Sequence, residues 1–293
     1  MLNRTSVTEF LLVGVTGIQE LNPFLFPVFL TVYFVNVAGN GAILKVVISD
    51  SKLHLPMYFF LGNLSCLDIC FSTVTLPKML ENLISTNKAI SFLGCISQLH
   101  FFHFLGSTKA MLLAVMAFDR FVLCALLADT VWTIGFFYAL MHSIMTSHLN
   151  FCGSNHIHHF FCDVKPLLEL TCGNTELNQQ LLNTVTGTIG IGTFFLILLS
   201  YFYIITYLFL KTYSCSMLHK ALSTCTSHFT VVIFSYVPVL ITYIRPASGI
   251  SMDQNRIIAI LYSVVSPVLN PLIYTLRNKE VKGNFFKGRN PNG

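Results

Sequence analysis

Long apolar runs separated by short polar segments dominate the chain. Each run is close to the roughly 20 residues that a helix needs to cross the roughly 30 Å hydrocarbon core of a bilayer. Seven such runs can be counted, at residues 23–48, 56–80, 96–121, 126–146, 185–210, 221–243 and 257–276. The hydrophobic pattern therefore predicts an all-α membrane protein, built as a bundle of seven transmembrane helices.

The third run is bounded by a cysteine and by an acid–base pair. Cys95 precedes it, Asp119 and Arg120 lie at its end, and Lys109 is the one full charge between Ile96 and Phe118. A charged side chain left in lipid costs several kcal/mol. The Asp119–Arg120 pair is therefore expected to mark a membrane boundary.

Composition supports a membrane protein and excludes a nucleic-acid-binding one. Hydrophobic residues make up 54% of the chain and charged residues 10%, against about 25% charged in soluble domains. The net charge is +5, but the basic residues are scattered and form no stripe that could follow a phosphate backbone. No internal repeat or low-complexity segment divides residues 1–293, which are predicted to form a single domain.

The distribution of basic residues predicts the orientation in the membrane. Nine Lys and Arg residues fall on one side and five on the other, which favours an amino terminus outside the cell. Residues 1–22 are then extracellular, 147–184 form a long outer loop and 277–293 form a cytoplasmic tail. The sequon at Asn3 would face outward and is a candidate glycosylation site, whereas the sequon at Asn63 falls inside the second run.

The nine cysteines divide by their surroundings. Five lie in or beside apolar runs, where a free cysteine behaves as a small hydrophobic residue: Cys66, Cys70, Cys124, Cys215 and Cys225. The other four, Cys95, Cys152, Cys162 and Cys172, lie in polar surroundings and could form two disulfides if that side is oxidising. A metal site is the alternative for the long loop, because three histidines, Cys162 and Asp163 fall within eight residues of it.

Several motifs, in order along nearly the whole chain, resemble those of the olfactory receptors among the rhodopsin-like G-protein-coupled receptors. The matching segments are Gly39-Asn40, Pro56-Met57-Tyr58-Phe59-Phe60-Leu61, Asn63-Leu64-Ser65 with Asp68, Pro77-Lys78, Met116-Ala117-Phe118-Asp119-Arg120-Phe121, Ser200-Tyr201, Lys220-Ala221-Leu222-Ser223-Thr224-Cys225 and Pro267-Val268-Leu269-Asn270-Pro271-Leu272-Ile273-Tyr274. The Asp-Arg-aromatic motif alone would be a weak signal. The combination with the second, sixth and seventh runs is highly specific.

The resemblance implies a function and its partners. A receptor of this family binds a small hydrophobic odorant within the bundle and activates a heterotrimeric stimulatory G protein from the plasma membrane, where it is a multi-pass protein surrounded by lipid. It is not an enzyme and carries no cofactor. The residues agree, since the chain has no His-Glu-x-x-His, no Gly-x-Ser-x-Gly and no paired intramembrane aspartates. A small-solute transporter is the alternative from another class, because intramembrane charges also line ion paths.

Signalling roles follow for residues that match the family motifs. Asp119 holds Arg120 at rest and releases it toward the G protein, while Asn270, Pro271 and Tyr274 form the inner hinge and Tyr201 belongs to the same switch. The alternative interpretations are a helix-end charge that reaches to the interface and a proline kink without a signalling role.

The resemblance also implies a binding pocket and two disulfides. The pocket residues are Phe102, His103, Gly106, Ser107, Val185, Thr186, Ile189, Tyr236, Val239, Tyr243 and Ser263, a mostly apolar set suited to a small volatile organic molecule. For each of them, ordinary bundle packing is the alternative. The implied disulfides join Cys95 to Cys162 and Cys152 to Cys172. An oxidised Cys162 cannot be a thiolate ligand, so no metal site is predicted.

Three features depart from the family pattern. Lys109 replaces the usual glutamate that faces Asp68 in a cluster of acids suited to sodium, so its ammonium is expected to pair with Asp68 instead. Trp132 follows Arg120 by only 12 residues, or about 18 Å of helix. Either the chain unwinds at residues 121–125 or the third and fourth runs continue as one helix. Asp129 adds an acid to the fourth run. A non-signalling relic, misfolding-prone and retained in the endoplasmic reticulum, is therefore a further alternative.

Overall fold

A computed structural model describes residues 7–16, 18–49, 56–116, 121–152, 154–211, 215–244 and 252–277. The predicted sites at Asn3, Asp119 and Arg120 lie outside these described residues, as do the side chains of Tyr243 and Tyr274.

Among the described residues, seven long helical segments form a bundle, which confirms the predicted fold class. Their bounds are α1 Asn22–Ser49, α2 Pro56–Ile84, α3 Phe92–Val115, α4 Phe121–Ser147, α6 Glu176–Lys211, α7 Cys215–Ile244 and a composite seventh helix. The seventh consists of α8 Met252–Ile260, a π-helical segment Leu261–Val265 and α9 Ser266–Arg277, while α5, Val164–Leu168, is a short helix between α4 and α6. Among the described residues, five of the seven segments are long and apolar enough to cross a membrane on that criterion alone. The chain is a multi-pass membrane protein.

The third helix is the centre of the bundle. Helix α3 contacts α2, α4, α6 and α7, and half of its side chains are buried, among them Leu99, Phe102, Leu112 and Leu113. It begins one turn earlier than predicted because Ser91 caps it, with Ser91 Oγ accepting the Gly94 amide at 3.1 Å. Side chains of α3 can therefore contact residues of four other long helices.

One end of the bundle is covered by a small lid. It consists of the described residues of 7–16, 85–91 and 148–175, and it includes the strands β1 Glu9–Leu12, β2 Ala89–Ser91 and β3 His156–Ile157. The central strand β1 pairs antiparallel with β2 and parallel with β3. Disulfides join Cys95 to Cys162 and Cys152 to Cys172, so one of them fixes the lid to the start of α3. This sheet was not predicted from the sequence.

The join between α3 and α4 differs from both expected routes. Helix α3 ends at Val115, earlier than the predicted residue 121, and residues 121–125 are helical as the start of α4. The two helices are separate and lie side by side. Their axes approach closely at Gly135, where a Cβ would collide with Thr108 Oγ1, and Trp132 packs against Phe104 with ring centroids 5.5 Å apart. Among the described residues, α3 thus ends earlier and α4 begins earlier than the apolar runs of the sequence predicted. Asp129 lies on the exposed face of α4.

Candidate ligand cavity and polar centre

A cavity of about 100 Å³ lies between α2, α3, α4, α6, α7 and the seventh helix, on the lid side of the bundle centre. Eight of the eleven pocket residues predicted from the sequence line it: Phe102, His103, Gly106, Ser107, Thr186, Ile189, Tyr236 and Val239. The other lining residues are Phe71, Lys109, Ala110, Tyr138, Gly190, Ser235, Tyr262 and Ser266. The structure therefore brings together, at one site, residues as far apart in the chain as Phe71 and Ser266.

Val185 and Ser263 lie outside the cavity lining. Successive residues of an α-helix are 100° apart, so a face that carries Thr186 and Ile189 turns Val185 away. Ser263 is fully buried and donates to the Ala259 carbonyl oxygen of its own helix at 2.6 Å. On α6 the structure thus places two of the three predicted residues, Thr186 and Ile189, in the cavity lining and Val185 outside it.

Helical spacing could have found several lining residues that the sequence analysis missed. Gly106 follows Phe102 by four residues, and Lys109 and Ala110 follow Gly106 by three and four. This spacing places all four residues on the same face of α3. Gly190 follows Thr186 by four in the same way. Tyr138 of α4 and Tyr262 of the π-helical segment have no such signal, since their place depends on how the helices pack.

Hydroxyl groups in the cavity wall are already paired across helices. Tyr138 OH lies 2.6 Å from Thr186 Oγ1, which joins α4 to α6. Tyr236 OH donates to the Ala110 carbonyl oxygen at 2.5 Å, which joins α7 to α3. The remaining wall is largely aromatic and aliphatic, so a ligand would be held mainly by burial of apolar surface.

The lid end of the cavity is closed by an acid–imidazole contact. His103 Nε2 lies 3.1 Å from Asp163 Oδ1, and the same oxygen accepts the Val164 amide at the start of α5 at 2.7 Å. Burial alone would raise the pKa of Asp163, but the hydrogen bond and charge of His103, with His159 and the Val164 amide, lower it below its ordinary value. Burial lowers the pKa of the neighbouring His159 to about 4. The lid is thus attached to α3 by a buried polar contact as well as by a disulfide.

The floor of the cavity carries a buried ion pair. Lys109 Nζ lies 2.7 Å from Asp68 Oδ1 and donates to Ser266 Oγ at 3.1 Å. Asn270 Nδ2 donates to the other carboxylate oxygen, Asp68 Oδ2, and Ser235 Oγ lies 2.9 Å from Ser266 Oγ. Asp68 is fully buried and Lys109 is 6% exposed. A single cluster therefore connects α2, α3, α7 and α9.

Below the ion pair, two asparagines of α1 extend the polar centre. Asn36 Nδ2 donates to the Asp68 carbonyl oxygen at 3.2 Å and to Ser72 Oγ at 2.5 Å. Asn40 Nδ2 donates to Asn36 Oδ1 at 2.6 Å and to the Pro267 carbonyl oxygen at 3.2 Å. Pro267 is four residues before Pro271, which has no amide hydrogen to give it, so Asn40 supplies the missing donor. The neighbouring Gly39 is required by close approach, because a Cβ there would lie 3.0 Å from Pro271 Cβ.

The remaining predicted switch residues are only partly described. Tyr201 OH is hydrogen-bonded to His228 Nδ1, which joins α6 to α7. Pro271 lies inside α9 and Asn270 bonds to Asp68 as above. Within the described residues, no three His, Cys, Asp or Glu side chains are grouped to hold a metal ion, and Cys162 of the loop is in a disulfide.

The sequence and the fold of this chain are similar to those of known proteins. A sequence model described as "Olfactory receptor" matches residues 29–288. The chain is 75% identical to "Olfactory receptor 12D1" of Homo sapiens, over 97% of this chain and 94% of that protein, and 72% identical to "Olfactory receptor 12D2" of Homo sapiens, over 97% of each. The crystal structure of squid rhodopsin has a similar fold, with a TM-score of 0.71 over 92% of this chain and 85% of the rhodopsin chain at 14% identity.

Proposed function

Because the chain belongs to the olfactory receptor family of rhodopsin-like G-protein-coupled receptors, we propose that it is a plasma-membrane receptor that binds a small volatile organic molecule between its helices and activates a heterotrimeric stimulatory G protein. Proteins of this family are signalling receptors and not enzymes. The amino terminus and the lid lie outside the cell in this proposal, and the α3–α4 join and residues 277–293 lie inside.

The cavity is the observation that supports this function best. Its walls come from six of the long helical segments, are mostly apolar, and include side chains from α3, α6 and α7. A molecule bound there touches the helices whose relative positions would have to change for signalling. A ligand shifts such an equilibrium only by its difference in affinity for the two arrangements. A site that contacts several helices at once is well suited to provide that difference.

The fixed and moving parts can be assigned from the contacts. The disulfide between Cys95 and Cys162, with the contact between His103 and Asp163, fixes the outer end of α3 to the lid. The inner ends of α6 and α7 are joined through Tyr201 and His228. In our proposal α3 is therefore the static element, and α6 and α7 move against it when Arg120 is released to the G protein.

A cavity-filling substitution tests the ligand site. Ile189→Phe places an aromatic ring on the face of α6 that lines the cavity. Leu199→Phe is the control, because it places the same ring on the outer face of α6, at a position that is 63% exposed. Cells expressing each variant are challenged with a panel of volatiles, and cyclic AMP and surface-labelled receptor are measured together. We expect the Ile189 variant to lose its response at normal surface level, while the Leu199 variant responds like the unmodified chain.

The alternative functions are distinguished by the same measurements. Ligand uptake without cyclic AMP would indicate a transporter. Retention in the endoplasmic reticulum with no response at any surface level would indicate a non-signalling relic. A response that Ile189→Phe leaves unchanged would place the ligand site outside the cavity.

A further inference from the structure

We propose that the ligand of this chain carries a neutral oxygen acceptor, the carbonyl of a ketone, aldehyde or ester, and that this oxygen binds the side-chain nitrogen of Lys109 at the cavity floor. The proposal rests on the proposed function, since it names the class of molecule that the same cavity takes.

Lys109 is both buried and part of the cavity lining. A lysine ammonium has three N–H donors. Two of them have acceptors among the described residues, Asp68 Oδ1 at 2.7 Å and Ser266 Oγ at 3.1 Å. The third N–H group of the buried Lys109 also needs an acceptor, because a buried donor without a partner costs free energy. A ligand oxygen in the cavity can satisfy it.

The hydroxyl oxygens that line the floor already have hydrogen-bond partners. Ser266 Oγ accepts from Lys109, and Ser235 and Ser266 are hydrogen-bonded to each other. Asp68 and Asn270, whose Oδ1 has no partner among the described residues, are not part of the cavity lining. The floor therefore presents the Lys109 donor to the cavity but no carboxylate or amide oxygen. This arrangement favours a carbonyl, which only accepts, over an alcohol, which must also donate.

Charge excludes the two ionic ligand classes. Lys109 and Asp68 together carry no net charge, and Asn270, Ser235 and Ser266, which pack around them, are neutral. A carboxylate ligand would add an uncompensated negative charge to a dry site, and an amine ligand would face the Lys109 ammonium. A neutral carbonyl avoids both costs.

The walls define the rest of the molecule. Phe71, Phe102, Ile189 and Val239 present aromatic and aliphatic surface above Lys109. A ligand that places its oxygen at Lys109 must therefore place hydrocarbon against these four side chains. The class that results is a compact hydrocarbon skeleton with one terminal carbonyl group.

A series on one ring skeleton tests the proposal. Cyclohexanone, cyclohexanol, cyclohexane and cyclohexanecarboxylic acid are each added to purified receptor in detergent, and binding is measured from the rise in unfolding temperature with concentration. We expect cyclohexanone to bind at least roughly tenfold more tightly than cyclohexane, because a hydrogen bond to a charged group is worth about that factor or more.

Two variants test the role of Lys109. The double substitution Asp68→Asn with Lys109→Met removes the donor without leaving a buried unpaired charge, and should reduce the ratio of ketone affinity to hydrocarbon affinity to about one. Thr130→Ala is the control, because it removes an exposed hydroxyl of α4 that donates to the Leu126 carbonyl oxygen at 2.7 Å and does not line the cavity, and it should leave the affinity ratio unchanged.

The outcomes distinguish this proposal from the proposed function. The assignment to Lys109 would be overturned if the unmodified chain bound cyclohexanone and cyclohexane equally well, or if the preference for cyclohexanone survived the double substitution. It would also be overturned if the acid or the alcohol bound most tightly. Lys109-dependent binding of cyclohexanone, without cyclic AMP from any volatile in cells, would uphold the assignment and overturn the receptor function.

Discussion

Asn40 donates its side-chain amide to the Pro267 carbonyl oxygen, the group that Pro271 leaves without its helical partner. The two residues are 227 positions apart in the sequence. Gly39 makes the contact possible, since α1 and α9 could not approach as closely with a side chain beyond hydrogen at that position. The Gly39-Asn40 pair and the seventh-helix prolines, which were separate motifs in the sequence, are one structural unit.

This relationship predicts a compensating pair of substitutions. Asn40→Ala should lower the free energy of unfolding by about 1–3 kcal/mol, because it leaves a buried carbonyl without a donor. Pro271→Ala in the same chain restores an amide that can donate to Pro267, so the double variant should recover part of the loss. Thermal unfolding of the purified proteins measures both. Equal losses in the single and double variants would show that the Pro267 contact does not contribute.

The ion pair of Lys109 and Asp68 should be costly to break on one side only. Lys109→Met or Asp68→Asn alone should reduce stability by about 3–5 kcal/mol, whereas the two substitutions together should cost markedly less. A double-mutant cycle on unfolding temperatures measures the coupling. Additive losses would mean that the two groups do not interact in the folded protein.

The close approach of α3 and α4 at Gly135 should not tolerate a methyl group. Gly135→Ala places a Cβ against Thr108 Oγ1 and 3.3 Å from the Phe104 carbonyl oxygen, so the helices must separate, at about 1–3 kcal/mol. Gly187→Ala is the matched control, because a Cβ there meets nothing within 4 Å and alanine favours the helix. Unfolding temperatures should fall for the first variant and stay level or rise for the second.

The two disulfides should contribute unequally. The Cys95–Cys162 bridge spans 67 residues and the Cys152–Cys172 bridge spans 20, so loop-closure entropy predicts about 4 and about 3 kcal/mol. Cys95→Ser should therefore reduce surface expression more than Cys152→Ser. Cys66→Ser is the control, since Cys66 is a free cysteine on the exposed face of α2. Recovery of Cys162 as a free thiol from folded protein would contradict the pairing.

The lid should lose stability in mild acid through His159. Its pKa is about 4 when folded and about 6.5 when unfolded, so the unfolded chain binds more protons between these values and stability falls as the pH falls. Between pH 7 and pH 5 the loss is about 2 kcal/mol. Asp163 acts at lower pH, because its folded pKa lies below the ordinary value. His159→Gln should flatten the pH dependence of unfolding, and His156→Gln, at an exposed position, should leave it unchanged.

The sequence predicted the spanning segments well because the bilayer imposes a length and a polarity on each of them. The family resemblance also placed Lys109 opposite Asp68, and the two side chains form an ion pair in the structure. Helix phase was harder to predict. Val185 was chosen where Gly190 lines the cavity, because apolar residues surround α6 on all sides and leave no polar face to indicate which side points inward.

Two features could not be predicted because they depend on tertiary context. The strand Glu9–Leu12 pairs with segments about 80 and 145 residues away, and a four-residue strand has no local pattern strong enough to be recognised. Helix α3 ends at Val115, whereas the residues that follow, Met116 to Phe118, are still apolar and give no sign of a helix end in the sequence. In both cases the determining contacts lie outside the segment itself.

The order of the lid strands has a consequence for synthesis of the chain. β1 is made first, but its parallel partner β3 ends at Ile157, about 145 residues later. At a ribosomal rate of roughly 5–20 residues per second, the amino-terminal strand waits roughly 7 to 30 s before the sheet can close. During that interval α1 to α4 are all synthesised before Phe10 and Leu12, fully buried in the finished protein, can meet β3. The amino-terminal strand therefore reaches its final burial only after the first four long helices have been made.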